Sequence, residues 1–460
     1  MNRRRRFPVR LCALPQHLRA CTLVALAALI LLTPHAQATT IERVLSPGGL
    51  EAWLVRDKTV PLIAMEYAFA GGTSQDPADK PGVGNMAAAL LDEGAGDLDA
   101  RAFQERMENQ AIELRFSVDR DHFRGSLRTL AERRDTAFDL LRLALTAPRF
   151  EPEAVERIRT QIIAQLQRET ASPNDLASKT WWSTAFPGHP YGRPEKGTLD
   201  SVPQIKIDDL KAYARGVLAR GDLKIAIVGD IDAAAAGAII DRTFSALPPK
   251  SELSTVPPAL PAGLGRHLVV NFDVPQAIVS LGGVGLPRKH PDFIAAYVVN
   301  HILGGGSFTS RLYQEVREKR GWAYGVSSHL YPMDRSALFL GFTQVRAERA
   351  GDALALIEAE IRRMAQSGPT EEELAKAKAY LKGSYALRFD TSTKIAAQLV
   401  QIQLDELGID YIDRRNDLIE AVTLVDAKRI AKTLFDGGLL VTVVGRPTGI
   451  TSTGSPAQTR

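Results

Sequence analysis

The sequence predicts an α+β protein of two homologous domains, each a mostly antiparallel sheet with helices packed on one face. Three observations predict it. β-rich runs open and close each half of the chain, a pair of long helices lies between them in both halves, and one proline-rich stretch divides the halves. A repeat of about 200 residues reads as domain duplication, since solenoid units run to roughly 20–50 residues.

The first 38 residues stand apart from this pattern. "MNRRRRFPVR" is a basic leader, Thr22–Leu32 is apolar, and Ala36–Ala38 ("AQA") is a small-residue cleavage site, together a Sec-type signal peptide cut near Ala38. The apolar run is too short for a bilayer, which needs about 20 residues. We therefore expect an exported, periplasmic chain with no stable membrane anchor after cleavage. The six arginines of the segment leave with it, taking the 57 basic residues to 51 against 53 acidic ones. A basic surface for nucleic acid is therefore not expected. Both cysteines, Cys12 and Cys21, leave as well, which excludes disulfides, a thiol nucleophile and cysteine metal ligands from the mature chain.

The first domain is expected over 39–246. It opens on the strand Leu62–Gly72 ("LIAMEYAFAGG"), enters a short helix at Pro81–Gly94, continues through the paired helices of Arg133–Glu169, and ends on the strand Leu223–Asp232. The stretch 247–266 holds five prolines and reads as a linker. The second domain, 267–460, repeats the order: a strand at Ala277–Pro287, a helix in Phe293–Gly306, paired helices in Ala350–Leu387 and a strand at Gly438–Gly445. In both halves the second long helix begins in acidic residues, as the helix dipole favours.

Little in the residues themselves carries chemistry. The six histidines outside the signal are His122, His189, His267, His290, His301 and His329, and no two stand at a metal-ligand spacing. No G-x-S-x-G elbow supports an acyl-transfer triad, and "GGGSFTSR" lacks the G-K-[ST] ending of a phosphate loop. Gly304, Gly305 and Gly306 read either as a helix cap with positive φ or as a flexible loop.

The duplicated halves, the turn-helix "PGVGNMAAALLDEGAG" and the segment Gly304–Ser328 ("GGGSFTSRLYQEVREKRGWAYGVSS") resemble the insulinase or pitrilysin-type peptidases, family M16. The resemblance covers nearly all of the mature chain and implies a duplicated roll of the LuxS and metallopeptidase kind. Active members carry H-x-x-E-H on the first-domain helix, where two histidines one turn apart bind zinc and the glutamate serves as general base. A further glutamate ligand comes from the paired helices. In this chain Asn85 and Ala89 stand at the histidine positions, Ala88 at the base and Gln165 at the distant glutamate. An alanine methyl cannot ligate, and a neutral amide is a poor zinc ligand. No metal is expected here, and Asp92 and Glu93 nearby read as solvated helix-end charges rather than substitutes.

The second domain differs. The resemblance places a substrate-binding arginine and a transition-state tyrosine at Arg317 and Tyr324, with Gly321 ending the helix between them. A guanidinium offers a fork of donors to a peptide carbonyl, and a phenol can donate to an oxyanion. Read alone, Arg317 is one charge among Arg311, Glu315, Glu318, Lys319 and Arg320, and Tyr324 is a strand aromatic. Taken together they point to a non-catalytic subunit that lends this pair to a zinc-bearing partner acting on peptides or unfolded polypeptide. The resemblance further implies substrate added as a strand along an edge near Tyr67–Gly72. The alternatives are a structural or assembly subunit, a peptide-binding module, and a zinc peptidase with unrecognised ligands.

Overall fold

A computed structural model of the chain describes residues 40–454. The export signal and its cleavage near Ala38 lie outside the described residues. The first half builds a six-stranded sheet from β1 (Ile41–Leu45), β2 (Glu51–Arg56), β3 (Leu62–Ala70), β4 (Glu113–Val118), β5 (His122–Leu130) and β6 (Lys224–Gly229). Its strand order is β1-β2-β6-β3-β5-β4. The second half builds a sheet from β7 (His267–Asn271), β8 (Gln276–Val284), β9 (Ala323–Pro332), β10 (Ala337–Arg346) and β11 (Leu440–Gly445), in the order β7-β11-β8-β10-β9. Apart from β1 the two orders are the same. In each, one parallel pair (β2 with β6, β7 with β11) flanks an otherwise antiparallel ladder. The equivalent strands β6 and β11 even end alike, on Gly229 and Gly445 at φ +146° and +147°.

The helices of the first half are α1 (Val83–Ala88), α2 (Ala100–Asn109), α3 (Arg134–Thr146), α4 (Pro152–Thr170), α5 (Pro173–Ala185), α6 (Ile207–Val217) and α7 (Ala233–Phe244). Those of the second are α8 (Phe293–Asn300), α9 (Ala350–Ser367), α10 (Glu371–Gly383), α11 (Ser392–Leu404), α12 (Tyr411–Glu420) and α13 (Leu424–Phe435). Most pack on one face of their own sheet. Ile63, Met65, Tyr67 and Phe69 of β3 meet Phe138, Tyr213 and Phe244 in the first core, and Val279, Leu281 and Phe339 meet Ile357, Ile430 and Phe435 in the second.

The opposite face of each sheet is covered by a helix from the other half. α5 lays Trp181, Ala185 and Phe186 on Leu268, Leu338 and Leu440 of the second sheet. α11 lays Ile395, Leu399 and Ile402 on Trp53, Val55, Ala68 and Val228 of the first. Each donated helix also sends one polar group to a strand carbonyl: Trp181 Nε1 donates to Leu440 O at 3.1 Å, and Gln403 Nε2 to Ile225 O at 3.0 Å. Gly282 makes room for the indole, since a Cβ there would lie 2.4 Å from Trp181 Cζ2. Residues 41–454 thus form one compact unit.

This exchange overturns the expected substrate edge at Tyr67–Gly72. β3 is a central strand, bonded to β5 on one side and β6 on the other. Its run is almost continuously apolar because both faces are buried, which is the pattern of an interior strand. The outermost strands are β1 and β4 in the first sheet and β7 and β9 in the second.

The stretch 247–266 contains no helix or strand. It is tacked to both halves: Ser254 N–H donates to Gln75 Oε1 at 2.8 Å, Ala262 N–H to Ala185 O at 2.7 Å and Ala259 N–H to Arg335 O at 2.8 Å. A polar cluster beside it joins the halves. The Tyr191 hydroxyl donates to Asp121 and accepts from Arg335 N–H at 3.0 Å, and the nearly buried His122 ring lies 3.7 Å from Asp119 and 3.6 Å from Asp334.

Two outcomes follow from these contacts. Trp181→Ala removes the anchor of α5 and should cost about 3–5 kcal/mol in urea unfolding. Burial disfavours a charged His122, but Asp119 and Asp334 outweigh it and hold the imidazole above its ordinary value, against an opposing Arg124. A raised pKa contributes stability that is complete below the unfolded value and is lost as pH rises through the folded one. The stability difference between the wild type and His122→Gln should therefore be fully present below the ordinary imidazole value and shrink as pH rises above it.

Candidate functional site

α1 is set by an aspartate ahead of it. The buried Asp76 carboxylate accepts from Gly82 N–H at 2.7 Å and Gly84 N–H at 2.8 Å, closing the Pro-Gly turn over the helix start. Burial pushes Asp76 up to about 7, against those two donors, which favour its ionised form. Gly82 has φ +101°, and a Cβ there would meet the 196–197 backbone at 2.8–2.9 Å. Gly84 lies against Tyr213 of α6, whose hydroxyl a Cβ would approach to 2.8 Å.

The emptied ligand positions share this helix. Asn85 and Ala89 are partly exposed one turn apart, while Ala88 is buried at 4 % exposure and joins the first core. α4 packs beside α1 and carries Gln165, whose Nε2 donates to Glu169 Oε1 at 3.0 Å; Glu169 in turn accepts from Lys196 at 2.6 Å. Glu93 is ion-paired with Arg157 of α4. Burial raises the pKa of Asp92, which weakens its standing as an anionic ligand. Among the described residues no three His, Cys, Asp or Glu side chains form a group able to hold a metal ion. The residues at the zinc position do not fit zinc.

The glycines of the second half do not form a loop. Gly304 and Gly305 belong to a π-helical turn, His301–Gly305, that prolongs α8, and Gly306 caps it at φ −86°. None of the three has positive φ; that conformation falls on Ser307, at +46°. What requires glycine is proximity. A Cβ on Gly304 would lie 2.4 Å from Ser328 Oγ and 2.8 Å from Ser328 N on β9, and one on Gly306 would lie 2.8 Å from His301 O.

Arg317 lies in a second π-helical turn, Tyr313–Glu318. Its guanidinium pairs with Glu318, stands 5.0 Å over the Tyr313 ring, and its side chain is 40 % exposed. Gly321 ends the turn as expected, at φ +62°, with its N–H donating to Arg317 O at 2.8 Å. Tyr324 follows on outer strand β9, where it and Gly325 together oppose Gln344 in a bulge. The bulge and strand position leave Tyr324 83 % exposed, with no hydrogen-bond partner among the described residues. No hydrogen bond or ion pair among the described residues joins Arg317 or Tyr324 to α1 or α4.

Three features escape a reading by motif. They are Asp76, the reciprocal helices α5 and α11, and the charged cluster around His122. Asp76 had a local signal, an acidic residue five positions before a Pro-Gly turn; the others depend on distant contacts.

If α1 and α4 lack only ligands, restoring them should restore the metal. The variant combining Asn85→His, Ala88→Glu, Ala89→His and Gln165→Glu should bind zinc stoichiometrically in dialysis followed by elemental analysis, and the wild type should not.

The chain matches two consecutive family models: "Insulinase (Peptidase family M16)" over residues 55–198 and "Peptidase M16 inactive domain" over residues 204–381. It is 28 % identical over 339 residues to a protein named non-peptidase homolog YmxG from Helicobacter pylori, covering 72 % of this chain and 77 % of that one. It is also 26 % identical over 424 residues to an uncharacterized zinc protease from Streptomyces coelicolor, covering 88 % and 90 %. Among solved structures, a peptidase M16 inactive domain from Pseudomonas fluorescens superposes with a TM-score of 0.82 at 29 % identity, covering 91 % of this chain and 100 % of that one. With its duplicated sheets, its ligand-free α1 and these matches, the chain belongs to the M16 peptidase family, as a homologue of the inactive kind.

Proposed function

We propose that this protein is the non-catalytic subunit of a heterodimeric, exported zinc peptidase, lending Arg317 and Tyr324 to a zinc-bearing partner that cleaves peptides or unfolded segments. The observation that carries the reading is an asymmetry. The positions that would hold zinc and activate water are Asn85, Ala88, Ala89 and Gln165, none able to do either. The positions that would hold a scissile carbonyl are an arginine and an exposed tyrosine whose hydroxyl has no hydrogen-bond partner among the described residues. A tyrosine so exposed contributes little to its own core, whereas a docked partner would give its hydroxyl a target.

Within such a pair, Arg317 orients the substrate carbonyl through its donor fork and Tyr324 donates to the oxygen as negative charge develops. Ala88, at the position of the general base, supplies none. The reading also moves the substrate edge. β4 packs against α1 and its outer edge pairs with no strand among the described residues, so an extended segment can be added there through backbone hydrogen bonds. The periplasm is proposed on the leader alone.

In a reconstituted pair, Tyr324→Phe should lower kcat by about 10²–10³, the typical loss of one oxyanion donor. Arg317→Ala should lower kcat/KM, and neither variant should loosen the pair in sedimentation. Unchanged turnover in both variants would favour a structural subunit, and full cleavage by the isolated chain would overturn the proposal.

A further inference from the structure

A cavity of about 460 Å³ lies between the 301–305 turn, β9, α11 and α12, away from Arg317 and Tyr324. Its walls include Phe293, Tyr297, Tyr385 and Tyr411, and three guanidinium groups line it: Arg288, Arg388 and Arg415. The one carboxylate in its lining, Asp405, is already taken by Arg288 at 3.3 Å, and Arg288 also donates to the Tyr411 hydroxyl at 2.8 Å.

Arg415 is the anomaly. It is 5 % exposed, yet no carboxylate pairs with it among the described residues. Its Nη1 donates to Leu381 O at 3.1 Å and more weakly to Asn416 Oδ1 at 3.4 Å. Its Cζ stands 3.9 Å over the Tyr385 ring and 5.8 Å from the Tyr297 centroid. Ring faces and a carbonyl orient a guanidinium, but they do not neutralise it, and a buried cation without a counter-charge is costly. Arg388, exposed on the same lining, has neither a hydrogen bond nor an ion pair among the described residues. Burial holds His301 and His329 below the usual imidazole value, so the two histidines in the lining add little charge at neutral pH. The three arginines and one aspartate leave an excess of two positive charges facing an aromatic-walled space.

We propose that this cavity binds a carboxylate carried on an aromatic or apolar body, with Arg415 and Arg388 holding the anion and the tyrosine rings holding the body. A planar donor fork matches a carboxylate bidentately, and a volume of this size lies in the range of small-ligand sites. Two sources share that chemistry: the last residue of a peptide, or a free carboxylic acid. The peptide source rests on the proposed role in proteolysis; the carboxylate site itself does not.

The test is titration calorimetry on the full chain without any partner. The probes are Ala-Ala-Phe as free acid, the same tripeptide as its C-terminal amide, N-acetylphenylalanine and inorganic phosphate. The free acid should bind saturably and the amide at least about tenfold more weakly, since one charge-assisted contact carries that much. If N-acetylphenylalanine matches the tripeptide, the source is a free acid; if it is much weaker, the source is a peptide end. Arg388→Ala, at an exposed position, should weaken the acid by about tenfold without changing the melting temperature. Arg415→Lys should do the same, and should it fail to fold, Arg388→Ala and the amide decide. The proposal is overturned if acid and amide bind equally, if neither acid saturates by about 10 mM, or if phosphate alone binds. Arg317→Ala should leave the titration unchanged, which separates this site from the proposed peptidase role.

Discussion

The structure depends on a reciprocal exchange of helices across the two halves. Each sheet buries one face under its own helices and would leave the other bare. α5 and α11 close those faces, each crossing to the opposite half and each fixing itself to a strand carbonyl. Apolar burial of this kind dominates folding, at about 25 cal/mol per Å². The halves therefore cannot separate without exposing Trp53, Trp181, Leu399 and their neighbours to water. Within each sheet β3 and β8 are central because both of their edges are paired, and the outermost strands are β1, β4, β7 and β9.

Two local arrangements stand in contrast. α1 is held rigidly by Asp76, Gly82 and the Tyr213 contact, so its shape survives without ligands. Its buried Ala88 packs where a charged side chain would need a partner. The Arg317–Tyr324 element, by contrast, is presented outward, on a widened π-helical turn and a bulged outer strand. A bulge twists a strand and re-aims a side chain, which here places the phenol in solvent. On the proposed function, one half of a reaction centre has become scaffold, and the other faces a docked partner.

Much of this was legible in the sequence because it is local. The duplicated order of strands and helices follows from apolar periodicity. Residues one turn apart share a helix face, so Asn85 and Ala89 declare the loss of ligands without coordinates. Gly321 as a helix stop needs only a left-handed residue after a polar turn. What could not be read is set by distant partners. The edge near Tyr67–Gly72 is what the resemblance implies, and only the pairing of β3 with β5 and β6, the latter more than 150 residues later, places it inside the sheet. Gly304–Gly306 read as a cap or loop, but their requirement is the approach of Ser328 on another strand. Arg415 is one arginine among many until Tyr385 and Tyr297 are seen beside it.

The account turns on where the Tyr324 hydroxyl goes when a partner is present. The direct measurement replaces Tyr324 with p-benzoylphenylalanine, mixes the chain with a zinc-bearing subunit holding an uncleavable peptide, and maps the photoproducts. Crosslinks to that peptide, at the residues flanking its blocked bond, are the predicted result. Crosslinks only to the surface of the subunit, or none at all, would contradict it.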